Sequence, residues 1–312
     1  MIHGVAAIGL SSWDRFIVTD TYPGPGQYAI VREQLEQAGG TTGNTVAALA
    51  RVGVEVRFVS AVGTDPEGDA LIASLDAVGA DSSWVYRQPQ HPSDNGLIVV
   101  SGLPGQRDRT IYWVQGARPQ MGDQLPIDEM LLHEWVHIDV DDPRLRNFLL
   151  ALPAHRSPRT RLVGTLTYLV DQDAQIGWNH ALRLDVAIGN VQELQTLTGT
   201  TSLDAAIAVA QAALPASACR VLYISRGPLG GIAIRPDRVV MCPALDIAVV
   251  DTTGAGDAFA AGCIWGLLER EDDPAVLRRA VALGSLVCRE LGARAAQPDR
   301  EEAESALAGA LA

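Results

Sequence analysis

The residues whose types and spacing could do chemistry lie late in the chain, in Asp251-Thr252-Thr253-Gly254-Ala255-Gly256-Asp257-Ala258-Phe259. This stretch follows the apolar run Leu245–Val250 and leads into an alanine-rich helical run. A strand, a glycine-rich turn and a helix start, in that order, leave several backbone amides free at one point. With the helix dipole behind them, those amides form an anion site that needs no cationic side chain. Gly254 and Gly256 let the backbone curl into a nest and let a ligand approach closely. Asp257 falls in the first helical turn, beside the anion site. Helix caps also favour an acid there. Phosphoryl transfer to an alcohol, however, requires these two things at one place: amides for the charge on the moving phosphoryl, and a base for the attacking hydroxyl.

Composition narrows how the rest of such a site can be built. All 24 basic residues are arginines, and the chain has no lysine. That excludes a P-loop, the strand lysine of protein kinases and Schiff-base chemistry. A net charge of −13 argues against nucleic acid or an anionic membrane as partner. Positive potential for a polyanion must therefore be local, from helix N-termini, a metal ion and a few arginines. Cys219, Cys242, Cys263 and Cys288 are scattered without a C-x-x-C pair and read as buried, reduced thiols. No apolar run reaches the ~18 residues of a membrane span. Residues Met1–Leu10 lack a basic leader, so a cytoplasmic protein is expected. No G-x-G-x-x-G follows the first strand, which disfavours a Rossmann dehydrogenase.

The elements that must position the site alternate. Ile2–Gly9, Val54–Val62, Trp135–Val140, Leu162–Thr165, Asp185–Ile188 and Val221–Ser225 read as buried strands. Helical stretches Thr45–Arg51, Asp65–Val78, Val191–Thr198 and Ser202–Leu214 separate them. That rhythm predicts βαβ units and a mainly parallel sheet covered on both faces. Gly230–Ile234 and Val239–Pro243 read as an antiparallel pair at its edge. Helices Ala255–Glu269, Pro274–Leu291 and Arg300–Leu311 follow. Phe16–Thr19 and Gln27–Val31, around the turn Pro23–Gly26, read as short strands. Gly96–Ser101 and Thr110–Val114 read as a hairpin. With no helices between them, these pieces predict a small second sheet of the kind that forms a lid.

With these elements in place, the motif resembles the C-terminal signature of the PfkB, or ribokinase-like, family of carbohydrate and nucleoside kinases. Gly39-Gly40, Gly43-Asn44, then Ala47, Ala48, Ala50 and Gly53 resemble the family's N-terminal signature. Asn190-Val191-Gln192-Glu193 matches its N-x-x-E, and Ser225 to Gly230 resembles its T-x-G-x-x-G nucleotide turn. Gly9 and Asp14 fit its first-strand G-x-x-x-x-D. The five matches occur in the family's order along nearly the whole chain.

The resemblance implies one ribokinase-like α/β/α domain over residues 1–312, with a small β lid from about 15–35 and 95–115. It implies ATP as co-substrate, a sugar or sugar-like acceptor, and Asp257 as general base. The amides of Gly254, Ala255 and Gly256 would form the anion hole. Asp14, Gly40 and Asn44 would hold acceptor hydroxyls, and Ser225, Gly227, Gly230 and Asn190 would line the nucleotide groove. Asn190 and Glu193 would organise Mg²⁺ through water, a task suited to hard oxygen ligands; an N-x-x-E on a helix is also what a cap looks like. In many members a monovalent cation such as K⁺ sits behind the anion hole, and Asp251 and Thr253 hold the corresponding places here.

Departures from the pattern bear on the acceptor. Ser225 stands where the family's turn usually begins with Thr, and Gly189 where proline is frequent. Thr41 replaces the lysine that ribokinases proper carry after the glycine pair, leaving other sugar and nucleoside kinases open. Lid arginines Arg107, Arg109 and Arg118 could meet an acidic or phosphorylated acceptor, or simply face solvent. Trp13, Tyr112 and Trp113 are candidates for stacking on a nucleoside base. Asp139, Asp141 and Asp142 follow a strand end, where ligands of α/β sheets collect. The alternative to a sugar kinase is a nucleoside kinase of the same fold, or a non-catalytic sugar-binding regulator. The small sheet should lean on the acceptor or on a second copy of the chain, so a homodimer is expected.

Overall fold

The computed structural model describes residues 2–102, 108–152 and 160–309; Arg107 lies outside them. The chain opens with β1 (Ile2–Gly9), β2 (Ser12–Thr19), β3 (Val31–Gly39), α1 (Thr41–Arg51), β4 (Val56–Val62) and α2 (Pro66–Ala77). Strands β5 (Val85–Arg87), β6 (Asp94–Ser101) and β7 (Asp108–Val114) follow, then α3 (Ile127–Met130), β8 (His133–Asp139) and α4 (Pro143–Ala151). The second half runs β9 (Arg161–Thr165), α5 (Ala174–Ala181), β10 (Val186–Asn190), α6 (Val191–Thr198), α7 (Leu203–Ala213) and β11 (Val221–Ser225). It closes with β12 (Gly231–Ile234), β13 (Val239–Cys242), α8 (Ala255–Leu268), α9 (Asp273–Leu286) and α10 (Arg300–Gly309).

Nine strands form the main sheet in the order β13-β12-β11-β10-β9-β8-β1-β4-β5. All its pairings are parallel except the two that join β11, β12 and β13. Alternate strand residues feed opposite faces, as the pleat requires. Val5, Ala7, Phe58, Trp135, Val186 and Tyr223 bury one face against α1, α8 and α9. Ala6, Ile8, Val59, Ile138, Leu162 and Leu222 bury the other against helices α4 to α7. The result is the three-layer α/β/α arrangement that the near-continuous aliphatic runs predict.

The second sheet has four strands in the order β3-β2-β6-β7. Its inner face carries Phe16, Val18, Ile98 and Val100, packed with Leu291 of the main body. Asp14 lies inside β2, because pairing with β3 and β6 begins at Ser12. Two readings need correction. The expected strand Gln27–Val31 is largely outside the sheet, and the strand is Val31–Gly39. Its run of charged, exposed residues hides a backbone ladder that only β2 reveals. Leu245–Val250 is also no strand; its end is held by Val250 N donating to Cys288 O at 2.8 Å. Among the described residues all four cysteines are free, three buried and Cys242 half-buried, and no helix is long and apolar enough to cross a membrane.

Candidate functional site

The turn before α8 is built around Gly254, which caps the helix in the left-handed region at φ 79°. A β-carbon there would also lie 2.7 Å from Ala293 Cβ, so both backbone and space demand glycine. Asp251 holds the turn from behind. Its Oδ1 accepts from Thr253 N at 3.1 Å and Thr253 Oγ1 at 2.9 Å, and its Oδ2 accepts from Gly292 N at 2.9 Å. Both residues are buried and serve each other. Gly256 is different from Gly254: it is already helical, and a β-carbon there would meet open space. The Ala255 amide donates to Thr252 O at 3.2 Å. The Gly256 and Asp257 amides meet no backbone acceptor outside the helix among the described residues, and α8 points them out of its first turn.

Asp257 lies against α1. Its Oδ2 accepts from Asn44 Nδ2 at 2.8 Å, and Thr45 Oγ1 donates to its main-chain oxygen at 3.2 Å. The carboxyl is pushed up to about 8, chiefly by loss of water. The negative charges of Asp139 and Asp14 add to that rise, while the Asn44 bond and the Arg109 charge oppose it. Asp14 stands nearby on β2, with room made by two neighbours. A β-carbon at Gly39 or Gly96 would fall 1.9 or 2.7 Å from its carboxylate oxygens. Burial raises Asp14 to about 6 against the pull of Ser12, Arg294 and the Gly40 backbone. Gly40, at φ 84°, turns the chain from β3 into α1 over the backbone of Leu10 to Ser12. Asn44 thus meets Asp257 directly, Asp14 lies close enough for its charge to act on Asp257, and the Gly40 backbone bonds Asp14.

At the ends of β10 and β11, Asn190, Val191, Gln192, Leu203, Ser225, Arg226, Gly227 and Leu229 line a groove of ≈ 410 Å³. Gly230 is not among them. It is buried, and a β-carbon on it would run into Cys242 O at 2.0 Å, so it lets the β12–β13 edge fold back. Asn190 and Glu193 form a reciprocal cap on α6: Asn190 Oδ1 accepts from Glu193 N, and Glu193 Oε2 from Asn190 N, both at 2.9 Å. The cap reading is therefore correct, and it does not use up Glu193. Its carboxyl takes one further bond, from Thr167 at 3.3 Å, and is raised by burial and by the charge of Asp139. A carboxylate has about four acceptor positions, so lone pairs remain for a metal-bound water.

Several residues that the motifs did not flag complete the cleft. Asp139 accepts from Thr42 Oγ1 at 3.1 Å and from Thr165 Oγ1, and Gly9 leaves the space that Thr42 occupies. Arg109 of β7 donates to Thr252 Oγ1 at 2.8 Å, joining the small sheet to the anion turn. Arg118 instead pairs with Asp141 at 3.0 Å, and Asp142 caps α4. Among the described residues no three potential ligands form a metal cluster, so the three aspartates do separate jobs. Arg294, half-buried, donates to Asn44 Oδ1, Gly39 O and Ser74 Oγ at 3.0, 3.0 and 3.2 Å. No local pattern marks it, since it sits in an irregular segment after α9.

Comparison with known proteins places the chain in a family. The model of the pfkB family carbohydrate kinases matches residues 3–300. The ribokinase of Bacillus subtilis is 26% identical over 98% of this chain and 100% of its own length. The ATP-dependent ribose-1-phosphate kinase of Halopiger xanaduensis is 27% identical over 94% of each chain. The Arabidopsis thaliana ribokinase solved with ribose and ATP superposes with a TM-score of 0.81 at 20% identity, covering 98% of this chain and 99% of that one.

Proposed function

The chain belongs to the pfkB family of carbohydrate kinases, and from that premise we propose that it transfers the γ-phosphoryl of ATP to a hydroxyl of a sugar or sugar-like molecule. The observation that supports this reading is the buried Asp257 carboxyl, held by Asn44 in the first turn of α8 with the Asp14 charge near it. The acceptor hydroxyl enters between Asp14 and Asp257. Asp257 takes its proton as the oxygen attacks, and the Gly256 and Asp257 amides, at the positive end of α8, stabilise the charge on the transferred phosphoryl. The Asn190–Gly227 groove holds the nucleotide.

Mg²⁺ on the phosphates supplies charge neutralisation, and Glu193, with lone pairs to spare, would hold its waters. A K⁺ near Asp251 would support the shape of the turn, because both Asp251 oxygens already serve that turn. The closed small sheet excludes water from the transfer, with Arg109 on Thr252 as its contact to the turn. One feature favours a nucleoside as the second reading. Trp113 lies in the same cross-sheet row as Gly96 and Asp14, so its ring shares their face.

The test is an ADP-release screen over sugars, sugar acids, sugar phosphates and nucleosides, with and without a chelator. Acceptor-dependent ADP release that needs the metal is the expected result. No acceptor-dependent release from any class would overturn the reading.

A further inference from the structure

We infer that Arg294 is a positioning residue for the transfer: it locks the side-chain amide of Asn44 in the one orientation that presents Nδ2 to the base, Asp257. The inference rests on the reading of Asp257 as base.

An asparagine amide has a donor end and an acceptor end of nearly equal shape, and either could face Asp257. Only the donor end suits a carboxylate that must lose its proton to work. The choice is made on the far side. Arg294 Nε donates to Asn44 Oδ1 at 3.0 Å, and a guanidinium has donors only, so it can accept nothing from an inverted amide. Asn44 Nδ2 is then left to donate to Asp257 Oδ2 at 2.8 Å. Arg294 is itself fixed through Gly39 O at 3.0 Å and Ser74 Oγ at 3.2 Å. Gly43 completes the fit, since a β-carbon there would stand 2.7 Å from Arg294 Nη2. Gln297 Nε2 secures the same turn of α1 by donating to Asn44 O at 3.0 Å.

The arginine also supplies positive charge beside Asp14 and Asp257 in this lysine-free chain. Its burial holds it down to about 10, and Asp14 and Asp257 are the anions that favour its charged form. Around Asp257 itself stand Asn44 of α1, Asp139 of β8, Arg109 of β7 and Asp14 of β2. Losing Arg294 would remove one positive charge from beside Asp14 and Asp257 and leave the Asn44 bond and the Arg109 charge to offset Asp14 and Asp139.

The experiment measures the pH dependence of kcat/KM, and KM for acceptor and ATP separately, in Arg294→Gln, Arg294→Lys and Gly43→Ala, with Asp257→Asn alongside. Arg294→Gln should lower kcat by up to ~10²-fold, the size of a misplaced catalytic group. Its acid limb should move up by about one pH unit, because a nearby cation lowers a carboxylate by that much or more. Acceptor KM should rise while ATP KM stays. Arg294→Lys, which keeps the charge without the planar fork, should keep the pH limb but not the full kcat. Gly43→Ala pushes on the guanidinium without removing it, and should shift the limb and acceptor KM in the same direction. It decides the matter if Arg294→Gln fails to fold. A folded Arg294→Gln or Gly43→Ala enzyme with the original limb and acceptor KM would overturn the inference. Full activity in Asp257→Asn would instead remove the base on which it rests.

Discussion

Asp257 carries a cost for the fold that its chemistry explains. Burial keeps its proton on up to about 8, whereas the unfolded chain releases it near 3.8. Between those values the folded state binds more protons than the unfolded one, so this group makes stability fall as pH rises, and the loss is complete above 8. Asp257→Asn should therefore raise Tm at pH 8 to 9 while lowering kcat by ~10²–10⁴-fold. In the parent enzyme without ligands, kcat/KM should climb with pH through about 8, because only the deprotonated carboxyl accepts the hydroxyl proton. A flat profile across that range would contradict this assignment. The two glycines of the turn should separate in the same way. Gly254→Ala meets both a left-handed backbone and Ala293, so thermal stability and rate should fall together. Gly256→Ala enters open space on a helical backbone, so the fold should hold or gain ~0.5–1 kcal/mol while catalysis suffers. Unimpaired turnover in Gly256→Ala would mean the phosphoryl does not pass over that position.

Among the elements, the small sheet combines two properties that seldom suit a solitary surface. Its edge strand β7 leaves Ile111, Tyr112 and Val114 more than half exposed at 54, 57 and 58%. An unpaired edge with apolar side chains is a template for another strand. Tyr112 and Val114 stand on the outer face, while Ile111 shares the face of Phe16 and Ile98, which packs with Leu291 of the main body; the Arg109–Thr252 bond adds a second contact. The expected outcome is a dimer in sedimentation that Ile111→Lys with Val114→Lys disperses. Hydrogen exchange in β6 and β7 should slow when acceptor binds, and ATPase without acceptor should stay far below kinase activity. A monomeric parent chain would overturn the pairing, and unchanged exchange at saturating acceptor would make this sheet a fixed edge.

For the molecule as a whole, the antiparallel edge of the main sheet is tied to the α8–α9 layer by one buried carboxylate. Asp273 accepts from Tyr223 OH at 2.9 Å, from Arg235 Nε and Nη2 at 2.5 and 2.7 Å, and from Arg238 at 3.2 Å. Burial alone would raise its carboxyl, but these partners hold it below the usual value. Its stabilisation is thus present above the unfolded value and is lost as pH falls through the lower, folded one. Asp273→Ala leaves the buried Tyr223 hydroxyl without its acceptor and Arg235 and Arg238 to solvent, and should cost ~1–3 kcal/mol in denaturant unfolding. A loss below ~1 kcal/mol would show the network to be no stronger than a surface pair. ATP and acceptor KM in the surviving folded fraction should be unchanged, because Asp273 touches neither the groove nor the Asp14 space.

The sequence alone determined the layers and named the residues proposed for the site. Aliphatic alternation and short helical patterns are local signals, and they place β8 to β13 and α6 to α9 within a few residues. Gly254 and Asp257 stand out because a left-handed φ and a helix start demand particular residues at adjacent positions, and Asn44 stands out through its resemblance to the family's N-terminal signature. What the sequence could not show is contact between distant segments. Asn44 meets Asp257 across 213 positions and Arg294 across 250, and no periodicity spans such gaps. The strand Val31–Gly39 was equally hidden, since its charged residues form a strand only where β2 supplies partners. Gly230 shows the converse, a motif glycine whose demand comes from packing beneath Cys242 and not from the groove. Local backbone chemistry is written in neighbouring residues; the electrostatics of a buried site exists only once folding has removed the water.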